Sequence, residues 1–140
     1  MKKICFWTPY IGNVGTIKAT IHSAESIKKY SDEKVEINLF KIHSEWEGYE
    51  SSIEKAELNI VDFNLKKYFK NLPKYGIFSR FTMLLMMFYS IPKLIKYFNN
   101  EKPELVFGYL QGITPLIARY FSKHKPKIIV SIQGLPSFLA

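Results

Sequence analysis

Gly12-Asn13-Val14-Gly15 stands between an apolar run, Ile4 to Tyr10, and an amphipathic stretch that begins at Thr16. Its chemistry would be that of the backbone. A strand that runs into a glycine loop and a helix N-terminus gathers N–H groups where a phosphate or a sugar can sit. Glycine lets such a ligand approach closely because it has no Cβ. The loop lacks the dinucleotide fingerprint and the Walker A lysine, so on its own it reads equally as a tight turn. The other candidates are polar groups at strand ends. His43, Glu45 and Glu47 follow the second predicted strand, and Asp62 lies near the end of the third. Such groups suit acid/base work or hydroxyl recognition, although solvated or capping roles are commoner. His22, His43 and His124 show no metal-ligand spacing, and no nucleophile elbow or Ser/His/Asp order is visible. The single cysteine, Cys5, cannot form an internal disulfide and falls in the first strand, where a buried, inert thiol is expected.

The elements that must position these groups alternate in type. Residues 2–10 read as a buried strand and 16–30 as a helix, with Ile17, Ile21, Ala24 and Ile27 on one stripe. Residues 35–42 alternate as a strand does, 43–52 read as a loop, and 58–63 as a third strand. Residues 78–99 look helical and very apolar, and Pro92 is expected to end or kink that helix near Ile91. A fourth strand over 105–109, a helix from Thr114-Pro115 to about Lys123, and a fifth strand over 127–132 complete the order. Continuously apolar late strands between helices are the pattern of an α/β parallel sheet covered on both faces. Ligands bind beyond the carboxyl ends of such strands. Such a sheet normally carries a further helix after its last strand, so the chain is expected to be one part of something larger.

Charge sharpens this. The formal net charge is +8, yet residues 1–63 carry −2 and residues 64–102 carry +7. The basic segment is also the most apolar one. Its run Phe81 to Tyr89 is too short to span a bilayer, which takes about 20 apolar residues. It reads either as a buried core helix or as a helix lying on an anionic membrane surface, with Lys66, Lys67, Lys70, Lys74, Arg80, Lys93 and Lys96 near headgroups. Lysines interleaved with Tyr68, Phe69 and Tyr75 raise nucleic acid, but no recognised nucleic-acid motif accompanies them, and none is expected as a partner. The apolar start is broken by Thr8, Pro9 and Gly12 and lacks a clean cleavage site, so it reads as a first strand in a cytoplasmic, reducing compartment.

The opening Ile4-Cys5-Phe6-Trp7-Thr8-Pro9-Tyr10-Ile11-Gly12-Asn13-Val14-Gly15-Thr16 and the closing Lys127-Ile128-Ile129-Val130-Ser131-Ile132-Gln133-Gly134-Leu135-Pro136 resemble the N-terminal half of family 4 glycosyltransferases of the GT-B fold. The likeness is greatest to bacterial enzymes that assemble O-antigen, capsule or exopolysaccharide. It implies a Rossmann-like, acceptor-side domain over residues 1–140, with the donor-binding C-terminal domain absent from this chain and supplied in cis or in trans. It implies a retaining reaction in which a nucleotide sugar is substrate and no cofactor or metal is needed. Gly12, Asn13 and Gly15 match the loop that approaches the donor phosphates and sugar. Gln133 and Gly134 match a cleft-facing position after the fifth strand, near which His43 and Glu45 are also expected. The basic apolar segment matches the region that meets the membrane or a lipid-linked saccharide acceptor, which places the protein peripherally on the inner face of the cytoplasmic membrane. The catalytic residues are left unassigned, and this piece alone is not expected to turn over substrate. Two other readings stay open: a membrane-recruiting subunit of a split glycosyltransferase, and a non-enzymatic membrane-surface α/β module.

Overall fold

The sheet is built outward from its first strand. In the computed structural model, which describes residues 2–8, 15–69, 77–108 and 113–130, the elements run β1 (Lys2–Trp7), α1 (Gly15–Tyr30), β2 (Val35–Lys41), α2 (Glu50–Lys55), β3 (Asn59–Asp62), α3 (Lys66–Phe69), α4 (Ile77–Glu101), β4 (Leu105–Gly108), α5 (Ile113–Phe121) and β5 (Lys127–Val130). All strands are parallel, in the order β3-β2-β1-β4-β5. β1 lies at the centre because its side chains are apolar on both faces. Ile4 and Phe6 join the cluster under α1 and α2, whereas Cys5 and Trp7 join the cluster under α4 and α5. This is the Rossmann-like α/β sheet with helices on both faces that the sequence implies.

The α1 stripe is confirmed: Ile17, Ile21 and Ala24 are buried against β2 and β1. Opposite it, Phe40 of β2 gathers Trp7, Phe63 and Tyr97 around its ring. A small polar tie crosses the same layer. The Asn38 amide donates to the Tyr97 hydroxyl at 2.8 Å, and the Cys5 thiol lies 3.6 Å from that oxygen. Burial pushes the Cys5 thiol up to about 12, so it is inert, as expected for a thiol in a packed strand.

Two expectations need correction. Helix α4 does not end at Pro92 but runs on to Glu101, with the proline inside it. Pro92 stands on the exposed side, where the carbonyl it deprives of a partner can meet water, while Met86, Leu94 and Phe98 hold both halves against the sheet. The stretch read as a loop over 43–52 ends in a short helix, α2, which Ile53 pins to the core. Its single buried side chain left too little periodicity to detect. At the edge of the sheet among the described residues, β5 is half exposed on both faces.

Candidate functional site

The crossovers leave β1 and β4 in opposite directions. β1 connects through α1 to β2 on one side, and β4 connects through α5 to β5 on the other. Their C-terminal ends therefore mark the topological switch point, the place where open α/β sheets bind ligands. Trp7 and Gly108 are paired there in register, and the helices that follow these strands, α1 and α5, start at Gly15 and Ile113. Gly108 adds no side chain, so the backbones can approach a ligand closely.

Thr8 follows Trp7 at this point. Its side chain is fully buried, and its hydroxyl has no hydrogen-bond partner among the described residues. A buried hydroxyl without a partner costs about 1–3 kcal/mol, and such a group in a native fold calls for an explanation. Thr8 directly follows β1, at the C-terminal edge of the sheet. The sequence reading passed over Thr8. The available signal was a hydroxyl placed between a continuously apolar strand and a glycine loop.

The wall beside it is the turn after β2. Glu45 folds inward, and its carboxylate accepts the N–H groups of Ile42 and His43, the second at 2.9 Å. The Trp46 indole donates to the Phe40 carbonyl at 2.9 Å. His43 packs in the same turn, with Nδ1 2.9 Å from the Ser44 hydroxyl. His43 and Glu45 thus stand at the expected edge, but both are buried rather than solvated. Their arrangement is that of a brace that fixes the shape of the wall. Asp62 is similarly engaged: it accepts the Asn64 N–H at 2.8 Å and pairs with Lys41 at 3.8 Å.

Burial pushes the Glu45 carboxyl from an ordinary 4.5 up to about 7, against the pull of the two N–H donors. Between those values the folded chain holds a proton that the unfolded chain has released, so stability falls as pH rises through that window. The expected loss from pH 5 to pH 8 is on the order of 3 kcal/mol. Urea midpoints at the two pH values measure it, and Glu45→Gln is expected to flatten the difference. A wild-type midpoint that rises with pH would contradict the assignment.

The remaining expected site residues divide by position. Gly15 opens α1. Gly12, Asn13, Gln133 and Gly134 lie outside the described residues, as do Lys70 and Lys74. Lys66 opens α3, and Lys67 is exposed in the same turn, over the Tyr68 ring. Arg80 lies in the first turn of α4. Lys93 and Lys96 are exposed on α4 beside a shallow cavity of about 220 Å³ that also touches Asp62 and Tyr97. Among the described residues no cluster could hold a metal ion.

No protein-family model matches the chain, and no curated protein sequence does. Solved structures do match. One is CalG4, the calicheamicin glycosyltransferase, at a TM-score of 0.59 and 11% identity, over 97% of this chain and 33% of that one. Another is a UDP-N-acetylglucosamine 2-epimerase, at a TM-score of 0.58 and 14% identity, over 98% of this chain and 35% of that one. These likenesses establish the fold, and the chain spans about a third of the length of each structure.

Proposed function

We propose that this chain is the acceptor-side half of a GT-B glycosyltransferase. In this reading a sugar passes from a nucleotide sugar to a lipid-linked or polysaccharide acceptor at the cytoplasmic face of a membrane. The observation that carries it is the buried Thr8 hydroxyl after the C-terminal end of β1, which has no partner among the described residues. Both solved structures described above are named for sugar chemistry, which supports the class of ligand. The leaving diphosphate develops negative charge, and preorganised N–H groups at a helix N-terminus are suited to stabilise it. Gly15 begins that helix, and Thr8 would orient a sugar hydroxyl or a phosphate oxygen beside it. The inward-turned Glu45 keeps the wall in place. The donor-binding half comes in cis or in trans, and α4 brings the chain to the lipid.

Thr8→Val separates this from a purely structural role. The substitution keeps the shape and removes a hydroxyl that has no partner among the described residues, so stability should hold or rise by about 1 kcal/mol. Sugar transfer by the protein together with its donor-binding half should fall by about tenfold or more, the scale of one buried hydrogen bond to a charged group. Unchanged transfer would remove Thr8 from the site. A non-enzymatic membrane-surface module is the second reading, and the outward apolar face of α4 favours it. Under that reading Thr8→Val leaves every measurable activity intact.

A further inference from the structure

Three consecutive polar residues are buried where the second strand ends: His43, Ser44 and Glu45 are 1%, 8% and 0% exposed. They stand between two apolar anchors on opposite faces of the sheet. Ile42 packs in the cluster under α4 and α5, and Trp46 packs in the cluster under α1 and α2. The ladder pairing of β2 stops at Lys41. The next two N–H groups, those of Ile42 and His43, donate to the Glu45 carboxyl instead. One side chain therefore closes the turn. A buried carboxylate keeps its charge only at a large cost unless a cation pairs with it. Lys41, the charge that acts on Glu45, is paired with Asp62 at 3.8 Å. On the helices packed over Trp46, Lys18 and His22 of α1 and Glu50 and Glu54 of α2 are exposed. Within the turn, the His43 ring is turned to the Ser44 hydroxyl.

We propose that residues 43–45 form a proton-operated latch at the end of β2, closed while Glu45 carries its proton and open once the proton is lost, with Ile42 and Trp46 still anchored. On opening, the carboxyl proton passes to water, the carboxylate turns out to solvent, and the N–H groups of Ile42 and His43 are freed for exchange. Burial holds the carboxyl at about 7 against an ordinary 4.5, so the change falls near neutrality. The closed turn binds the proton more tightly than the open one, and opening is therefore favoured as pH rises. No ladder bond breaks, which makes the opening local, unlike the unfolding that a urea midpoint reads. His43 and Ser44 move with Glu45, and the polar groups at the C-terminal edge of the sheet change with them. Regulation of ligand binding by this step rests on the reading under Proposed function, and the latch itself does not.

Site-resolved hydrogen exchange of the full gene product, without ligand, tests the latch at pH 6 and pH 8 once each amide is corrected for its intrinsic rate. The Ile42 and His43 amides are expected to lose about tenfold in protection between the two, the ratio set by a carboxyl that titrates near 7 when closed and near 4.5 when open. Dilute urea should leave their exchange unchanged, because a local opening exposes little surface. The amide of Ile37, buried in the middle of β2, should exchange through global unfolding and respond to urea. In Glu45→Gln the protection of Ile42 and His43 should be equal at both pH values. Protection that does not fall with pH, a fall that persists in Glu45→Gln, or Ile42 and His43 amides that follow Ile37 in urea would each overturn the latch. The wild-type measurements decide the matter by themselves if Glu45→Gln does not fold. Since no ligand is present, failure here leaves the sugar-transfer reading standing, and unchanged transfer by Thr8→Val leaves the latch standing.

Discussion

Phe40→Ala is expected to destabilise the fold by about 3–5 kcal/mol. Natural domains of this kind have only about 5–15 kcal/mol in total, so this one change should leave the chain at the margin of folding. The size follows from what Phe40 touches. Its side chain is fully buried on β2. Trp7 meets it edge-on at 6.1 Å between ring centroids, Phe63 lies at 5.1 Å, and Tyr97 stands perpendicular to it at 5.0 Å. These rings come from β1, from the turn after β3 and from α4, so a cavity at Phe40 loosens three elements together. The Phe40 carbonyl also holds the Trp46 indole, which connects the cluster to the wall of the candidate site. Urea unfolding measures the effect. Phe40→Leu, which keeps most of the volume, should cost about 1–1.5 kcal/mol. A Phe40→Ala loss below about 1 kcal/mol would show that the aromatic cluster does not clamp the sheet to α4.

What could be read from the sequence depended on the length scale of the signal. β1, β2 and α1 are long enough for their periodicity to stand out: Val35, Ile37 and Leu39 alternate, and Ile17, Ile21 and Ala24 repeat along a helix face. Strand and helix alternation then dictated a parallel sheet. The four-residue strands β3, β4 and β5 stand out through their apolar, β-rich runs, whereas α2 buries only Ile53 among polar residues and so carries no helical stripe. The fate of Pro92 depended on whether packing on each side could hold the helix together, and that is a tertiary fact. The order of polar groups along the strands was legible, and what they bond to was not. His43 and Glu45 fall at the predicted strand end, but only the folded turn shows the carboxylate bent back onto the N–H groups of Ile42 and His43. Thr8 gives no sign in the sequence that its hydroxyl is buried without a partner. The basic apolar segment posed the opposite problem, because sequence could not choose between a core helix and a surface helix. The structure shows that α4 has both characters: Met86, Leu94 and Phe98 face the sheet, while Ile77, Phe81, Leu84 and Phe88 face outward at spacings of four, three and four residues.

That outward row gives the second large effect. Phe81→Glu with Phe88→Glu is expected to reduce binding to vesicles of phosphatidylglycerol and phosphatidylethanolamine by about a hundredfold. Burying a phenylalanine ring contributes about 1.5–3 kcal/mol, and two rings at partial depth reach the roughly 2.7 kcal/mol that a hundredfold requires. No helix of the described chain is long and apolar enough to cross a membrane, so α4 would lie in the interface with its apolar face down. Phe81 and Phe88 are 66% and 72% exposed, so both glutamates should leave the unfolding midpoint almost unchanged, and the binding loss cannot be a folding loss. Lys93 and Lys96 are exposed and make no ion pair among the described residues. Replacing both with glutamine should cost about 1 kcal/mol for each charge that reaches the headgroup layer. That share should vanish at high salt, while the aromatic share persists, because the Debye length falls from about 10 Å at 0.1 M to about 3 Å at 1 M. The two variant pairs therefore separate the terms: the phenylalanine pair is deficient at every ionic strength, and the lysine pair is deficient only when salt is low. Wild-type binding abolished by salt alone would mean that the rings never enter the lipid. Full binding by the phenylalanine pair would assign the outward face of α4 to a protein contact instead.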